Sequence, residues 1–216
     1  MNMTTHLPKL YCLTSDKISV SHSHQVLRFC EAGVRFIQLR SKSLSKIELL
    51  AEVRESVRIC RRFQTKLIVN DSIEVAMESD ADGVHLGQGD RDISDARKFL
   101  GETKVIGFTI HSKNEITEDV LRNANYIGMG PFRKSKTKAD LSPKLSIDDY
   151  CTMIQGLDPI PVFLIGGMEI EDFSLSLANH GIAVCSALSE QENLNISKIK
   201  AFVDESAKHD FIEACL

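Results

Sequence analysis

The stretch Phe36-Ile-Gln-Leu-Arg-Ser-Lys-Ser-Leu-Ser45, continuing through Lys46-Ile-Glu-Leu-Leu-Ala-Glu-Val-Arg-Glu-Ser-Val-Arg-Ile-Cys-Arg-Arg-Phe63 to Gln64-Thr-Lys-Leu-Ile-Val69, decides the fold. Its two ends, Phe36–Arg40 and Lys66–Val69, are short apolar runs of strand length. Its middle places Ile47, Leu50, Val53, Val57 and Cys60 near one face of a helix. Ser45-Lys-Ile-Glu48 has the form of a capping box, which starts a helix by satisfying free backbone N–H groups. A strand, a helix and a second strand in so short a span make a βαβ unit with parallel strands.

The same alternation runs outward in both directions. Further strands are expected at Lys9–Leu13, Gly83–Leu86, Val105–Thr109, Tyr126–Met129, Val162–Ile165 and Ile182–Cys185. Each is followed by a polar or glycine-bearing turn and a helix candidate. Ser112-Lys-Asn-Glu115 opens one helix like a second capping box, and Ile199, Phe202 and Val203 mark the last. Eight units in 216 residues leave about 27 residues per unit, compact but sufficient for an α/β (β/α)8 TIM barrel. Strands apolar on both sides suit a parallel sheet covered by helices. No linker divides the chain, so residues 1–216 read as a single TIM-barrel domain. An open doubly wound sheet would carry a Gly-rich turn after its first strand, and Leu13-Thr-Ser-Asp16 is not one.

Composition excludes several function classes. Lys and Arg total 26 against 30 Asp and Glu, a net charge of −4, so no whole-chain basic field favours nucleic acid. No apolar run reaches bilayer length, and the first residues lack the form of a signal peptide. A cytoplasmic protein is expected. The six cysteines form no C-x-x-C pair, so they read as reduced thiols and not as a zinc or dithiol site.

In such a barrel the chemistry lies at the C-terminal strand ends. Gln38 and Arg40 alternate onto one face, and Lys42 follows them. One amide and two cations suit a polar ring with a polyanionic tail; a solvated basic turn is the bland alternative. Asp71 and Asp90 end neighbouring strands and suit Mg²⁺ shared with substrate phosphate. Asp71 has a second reading as a helix N-cap, and Asp90 as the start of a turn. Gly166-Gly167 and Ser186 end the last two strands, the usual phosphate cradle of this fold, unless the glycines serve only a tight turn. His85 and His111 read as acid–base groups or as hydrogen-bonded structural residues. Pro131–Pro143 is a long basic loop after the sixth strand, and polar loops of that length usually carry function or are mobile. Two phosphorylated substrates meeting at one mouth imply group transfer with pyrophosphate leaving.

At these positions the chain resembles the thiamine-phosphate synthase (thiamine-phosphate pyrophosphorylase) family. The matching pieces are Gln38-Leu-Arg-Ser-Lys42, Val69-Asn-Asp71, Ala81-Asp-Gly-Val-His-Leu-Gly-Gln-Gly-Asp90, Ile106-Gly-Phe-Thr-Ile-His111, Tyr126-Ile-Gly-Met-Gly-Pro131, Thr137-Lys138, Ile165-Gly-Gly167 and Gly181-Ile-Ala-Val-Cys-Ser186. Single pieces are weak; the ordered set is specific. The resemblance implies an enzyme joining 4-amino-5-hydroxymethyl-2-methylpyrimidine diphosphate to a thiazole phosphate or its carboxylated form. It implies that Gln38, Arg40, Lys42, Asn70, Thr109 and Lys138 contact the diphosphate substrate, with Arg40, Lys42, Thr109 and Lys138 catalytic. It assigns Asp71 and Asp90 to Mg²⁺, and Ser135, Thr137, Gly167, Cys185 and Ser186 to the thiazole phosphate. Thr109 stands where serine is usual, Ser135 where threonine is usual and Cys185 where an aliphatic residue is usual, while Phe132–Lys136 is unusually basic. Related barrels that isomerise the thiazole resemble the fold but lack the paired acids and the diphosphate cations; a non-catalytic binding protein for thiamine precursors would not need the acids. Small-molecule substrates are the expected partners, with no nucleic acid or membrane, and a homo-oligomer is compatible with the sequence.

Overall fold

The computed structural model describes residues 7–133, 145–175 and 180–213. Eight parallel strands close into a barrel in chain order: β1 (Leu10–Leu13), β2 (Phe36–Leu39), β3 (Lys66–Asn70), β4 (Gly83–Leu86), β5 (Val105–Ile110), β6 (Tyr126–Met129), β7 (Val162–Ile165) and β8 (Gly181–Val184). Closure is made by β1 against β8, with Leu10 opposite Ile182 and Cys12 opposite Val184. The expected barrel is therefore present, and every expected strand lies within one residue of its observed bounds.

Among the described residues, seven α-helices surround the strands: α1 (His22–Ala32), α2 (Lys46–Phe63), α3 (Ile73–Ser79), α4 (Ile93–Leu100), α5 (Glu118–Asn123), α6 (Ile147–Ile154) and α7 (Ile196–Glu213). The capping box at α2 forms as read: Ser45 accepts from Glu48 N–H, and the Glu48 carboxylate accepts from Ser45 N–H at 2.9 Å. Such a cap stabilises a helix by about 1 kcal/mol. Arg61 and Arg62 in the last turn complement the helix dipole. Val53, Val57 and Cys60 are buried as expected, but Ile47 in the first turn of α2 is 83 % exposed.

Two other expectations need correction. Ser112 makes no side-chain cap, and Lys113–Glu115 is a single 3₁₀ turn; α5 starts later, capped by Thr117, which accepts from Val120 N–H. Glu115 instead accepts from the His111 N–H at 2.6 Å. After β7 the described residues form a 3₁₀ helix, Ile170–Leu175, and not an α-helix. No helix among the described residues is long and apolar enough to cross a membrane.

The alternation of each strand sorts its side chains into two cores. Leu10, Cys12, Ile37, Leu39, Leu67, Val69, Val84 and Ile106 face the helices. Tyr11, Phe36, Tyr126 and Phe163 face inward and pack ring against ring, with Tyr11 stacked on Phe36 at 4.0 Å and the other rings edge-on or tilted. This aromatic layer fills the barrel beneath its C-terminal mouth. The polar inward residues Gln38, Asn70, His85 and Thr109 lie one step further along their strands.

Candidate active site

The loop after β1 organises the loop after β2. Asp16 accepts hydrogen bonds from Ser41 (2.5 Å), Ser43 (2.9 Å), the backbone N–H of Lys42 (2.8 Å) and His22 Nε2 (3.1 Å). Partial burial alone would raise its carboxyl pKa. The hydrogen bonds from Ser41, Lys42, Ser43 and His22 outweigh this and lower it to about 2. Fully buried Thr14 accepts from the Arg40 N–H at 2.9 Å and contacts His22 Nδ1 at 2.8 Å. Asp16, Thr14 and His22 therefore fix the backbone that carries Arg40 and Lys42. Sequence reasoning noted Leu13-Thr-Ser-Asp16 only as a turn and missed this role.

Lys42 reaches across and pairs with the carboxylate of Asp71. The capping reading of Asp71 is excluded, because Ser72 is the N-cap of α3 and accepts from Val75 N–H. Asp71 instead has a left-handed backbone, φ 64°, and its N–H donates to the His85 carbonyl at 2.8 Å. That geometry turns it out of β3 toward the mouth. Asp90 accepts from the Gly87 N–H at 2.7 Å, and Asp92, not Asp90, caps α4. Burial and the neighbouring Asp71 carboxylate push the Asp90 carboxyl upward. Two acids that disfavour each other's charge, with a lysine already drawn to one of them, form a donor set suited to a divalent cation. Among the described residues no group of three or more His, Cys, Asp or Glu side chains is placed to hold a metal, so remaining ligands would come from substrate and water.

Deeper in the mouth, Gln38, His85 and Thr109 belong to one hydrogen-bonded chain. Gln38 Nε2 donates to Tyr11 Oη at 2.7 Å, Tyr11 Oη lies 2.7 Å from Tyr126 Oη, Tyr126 Oη lies 3.0 Å from His85 Nδ1, and His85 Nε2 lies 2.7 Å from Thr109 Oγ1. Burial pushes the His85 pKa down to about 4, partly opposed by Asp71. His85 is thus a neutral, hydrogen-bonded histidine. His111 Nδ1 donates to the Gly130 carbonyl, also in a structural arrangement.

On the opposite side of the mouth, Gly166 and Gly167 both have left-handed backbones, φ 106° and 64°. A Cβ at Gly166 would come within 2.9 Å of Pro131 and Phe132, so that glycine is required by close chain approach. Arg133 braces the turn: it donates to the Gly167 carbonyl at 2.9 Å and makes a bidentate pair with Asp172 at 2.5 and 2.7 Å. Burial raises the Asp172 carboxyl, and the hydrogen bonds it accepts from Arg133 and from the Glu169 N–H overcome that and lower it. Cys185 precedes a short 3₁₀ turn at Ser186–Leu188, and burial pushes its thiol up, away from nucleophilic reactivity.

At the mouth lie Gln38, Asn70 and Thr109 on β2, β3 and β5, Arg40, Lys42, Asp71 and Asp90 in the loops after β2, β3 and β4, and Gly167, Cys185 and Ser186 just past β7 and β8. Ser135, Thr137 and Lys138 lie outside the described residues. A cavity of about 370 Å³ elsewhere, lined by Cys60, Arg61, Lys66, Asp80 and Lys104, sits at the N-terminal end of the strands and is crossed by ion pairs of Asp80 with Arg61 and Lys104. It is remote from this mouth.

Comparison with known proteins agrees with the geometry. Residues 10–189 match the family described as thiamine monophosphate synthase. The chain is 34% identical over 191 residues to thiamine-phosphate synthase of Flavobacterium psychrophilum, covering 86% of this chain and 93% of that one. It is 35% identical over 189 residues to the enzyme of that name from Dictyoglomus turgidum, covering 86% and 84%. The structure of thiamine phosphate pyrophosphorylase from Pyrococcus furiosus superposes with a TM-score of 0.80 over 94% of this chain and 97% of that one, at 24% identity, a likeness of fold. The chain belongs to the thiamine monophosphate synthase family and is an enzyme of the thiamine-phosphate synthase type.

Proposed function

We propose that the enzyme joins 4-amino-5-hydroxymethyl-2-methylpyrimidine diphosphate to a thiazole phosphate, or its carboxylated form, releasing thiamine phosphate and pyrophosphate, with carbon dioxide released as well when the carboxylated form reacts. The observation that supports this reading is the Lys42–Asp71–Asp90 cluster, with Arg40 two residues before Lys42, a set of cations and paired acids suited to a departing diphosphate and its metal. An isomerase acting on the thiazole alone would have no use for that cluster.

In this reading Gln38, Asn70 and Thr109 hold the pyrimidine ring, and Asp71 and Asp90 hold Mg²⁺. When bound, Mg²⁺ neutralises diphosphate oxygens. Arg40 and Lys42, held by Thr14 and Asp16, stabilise the charge that grows on the departing pyrophosphate, and Lys138 joins them. Positive charge left on the pyrimidine methylene spreads into the aminopyrimidine ring, and the closed barrel interior keeps water from it. The thiazole nitrogen then attacks that carbon, its phosphate held at Gly167, Cys185 and Ser186, with Ser135 and Thr137. Orientation and fixed charge supply the catalysis, and no side chain forms a covalent bond to substrate. Lys42 exchanges its Asp71 partner for substrate oxygens when the site fills.

The test is incubation of the protein with both substrates and Mg²⁺, followed by mass detection of thiamine phosphate. Formation of product only when all three are present supports the proposal. Absence of product under conditions where Mg²⁺ and pyrophosphate bind would overturn it.

A further inference from the structure

The two pyrimidine-facing residues Gln38 and Thr109 sit at opposite ends of one buried chain of hydrogen bonds. Its links are Gln38, Tyr11, Tyr126, His85 and Thr109, from strands β2, β1, β6, β4 and β5. Every interior link has one proton to give and one partner to accept from. A neutral imidazole has one N–H and one bare nitrogen, and a tyrosine hydroxyl that accepts from one neighbour donates to the other. The direction of any single bond therefore sets the direction of all of them.

Gln38 settles that direction. Its Nε2 faces Tyr11, and an amide nitrogen only donates. Tyr11 then donates to Tyr126, and Tyr126 to His85 Nδ1. The ring proton must sit on Nε2, which donates to Thr109 Oγ1. Two consequences follow at the mouth. Gln38 keeps its carbonyl oxygen, an acceptor, for a ligand. The Thr109 hydroxyl, already accepting, keeps its proton to donate.

We propose that Tyr11, Tyr126 and His85 are positioning residues that lock the site as acceptor at Gln38 and donor at Thr109, and so select an aminopyrimidine over its deaminated 4-oxo counterpart. An aminopyrimidine offers an N–H donor on its exocyclic nitrogen and bare ring nitrogens as acceptors, which complements that pattern. The 4-oxo ring offers the reverse: a carbonyl acceptor outside and an N–H within. A polar site locked in the wrong sense leaves buried groups unpaired, and this rejects a ligand far more strongly than a mismatch of shape. Reversing the chain changes no charge, since each hydroxyl and the ring keep one proton in either sense. The lock is thus one of orientation and not of protonation.

The fold makes room for this chain at a cost in side chains. A Cβ at Gly107 would come within 2.1 Å of the Tyr126 ring and 2.5 Å of His85 Nδ1, and one at Gly128 within 3.1 Å of His85 Cε1. The two glycines therefore leave room for Tyr126 and His85 against the inner faces of β5 and β6. The flanking rings exclude water that would otherwise satisfy the links individually.

The inference rests on the proposed pyrimidine substrate, and its test has one arm that does not. Nitrogen NMR of the His85 ring in the unliganded protein, assigned by loss of its signal in His85→Gln, should show the Nε2–H tautomer; the Nδ1–H tautomer would overturn the proposal whatever the enzyme makes. In the kinetic arm, wild-type kcat/KM for the amino substrate should exceed that for its 4-oxo analogue by on the order of a thousandfold. Tyr126→Phe, which removes the middle link, should shrink that ratio to about tenfold by freeing the Thr109 hydroxyl to turn. Tyr11→Phe should act similarly, and the double variant should be no worse than either, because a chain once cut has nothing more to lose. A ratio unchanged in Tyr126→Phe, or losses that multiply in the double variant as independent packing defects would, refutes the lock. Failure to make thiamine phosphate at all would strike the substrate assignment and leave the tautomer result standing.

Discussion

The carboxylate of Asp16 accepts a hydrogen bond from the backbone N–H of Lys42 at 2.8 Å, so the loop after β1 holds the loop that bears Arg40 and Lys42. Asp16→Ala removes this anchor and the bonds to Ser41, Ser43 and His22 together. We expect kcat/KM for the pyrimidine diphosphate to fall on the order of ten- to a hundredfold, with KM for the thiazole phosphate little changed. Equal losses for both substrates in steady-state kinetics would show that Asp16 serves the barrel and not the loop. The same residue carries a pH signature. Its folded pKa is depressed to about 2, below its unfolded value near 4, so its contribution to stability is full above about pH 4. It fades as pH falls through about 2, and denaturant melts of wild type and Asp16→Ala should converge over that window.

Asp71→Asn and Asp90→Asn should each lower activity on the order of a hundredfold or more while leaving the melting temperature near wild type. Asparagine tolerates the left-handed backbone of Asp71 about as well as aspartate does, so this change isolates charge from conformation. Asp71→Ala should add a stability loss of about 1 kcal/mol through its unfavourable φ. An active Asp71→Asn enzyme with unaltered Mg²⁺ dependence would remove Asp71 from the metal.

Gly167→Ala should raise KM for the thiazole phosphate several-fold more than KM for the pyrimidine diphosphate. Valine is a poorer probe, because φ 64° is strained for a β-branched residue before any ligand binds. Arg133→Lys should behave in the same direction more weakly, since lysine cannot reproduce the bidentate pair with Asp172 that braces the turn. Parallel isothermal titrations with the two substrates would decide whether the effect is confined to one of them.

Gly107→Ala should destabilise the fold by about 1–3 kcal/mol, because the new methyl overlaps the Tyr126 ring. Equilibrium unfolding in urea measures this directly. A near-neutral result would mean that Tyr126 has another place to go, and the buried chain through its hydroxyl would then be malleable.

The strands and their polar ends were legible in the sequence because parallel strands under helices are continuous apolar runs, and Gln38, Asp71 and Thr109 interrupt them at the last positions. Local pattern misled at Ser112, where a Ser-x-x-Glu tetrad meets a 3₁₀ turn and Glu115 is taken by the His111 N–H. Asp16 was invisible for a different reason: its partners in the loop after β2 lie more than twenty residues away, and only the adjacency of β1 and β2 joins them. The links of the buried chain come from five strands, of which β1 and β6 are far apart in sequence. Single-strand periodicity marks Tyr11, Tyr126 and His85 as inward residues, but barrel closure alone brings their polar atoms within bonding distance.

The ring-against-ring layer of Tyr11, Phe36, Tyr126 and Phe163 has a consequence for traffic. It stoppers the barrel from below, so among the described residues the strand ends are approached from the mouth. Whatever departs must leave by the way the reactants came, and the last arrival stands in the path of the first to go. In the proposed reaction, pyrophosphate freed near Lys42 and Asp71 should then be trapped behind the bulkier organic product or escape only as that product loosens. Burst kinetics and pyrophosphate inhibition patterns should follow from this dead-end architecture even with the chemistry itself unchanged.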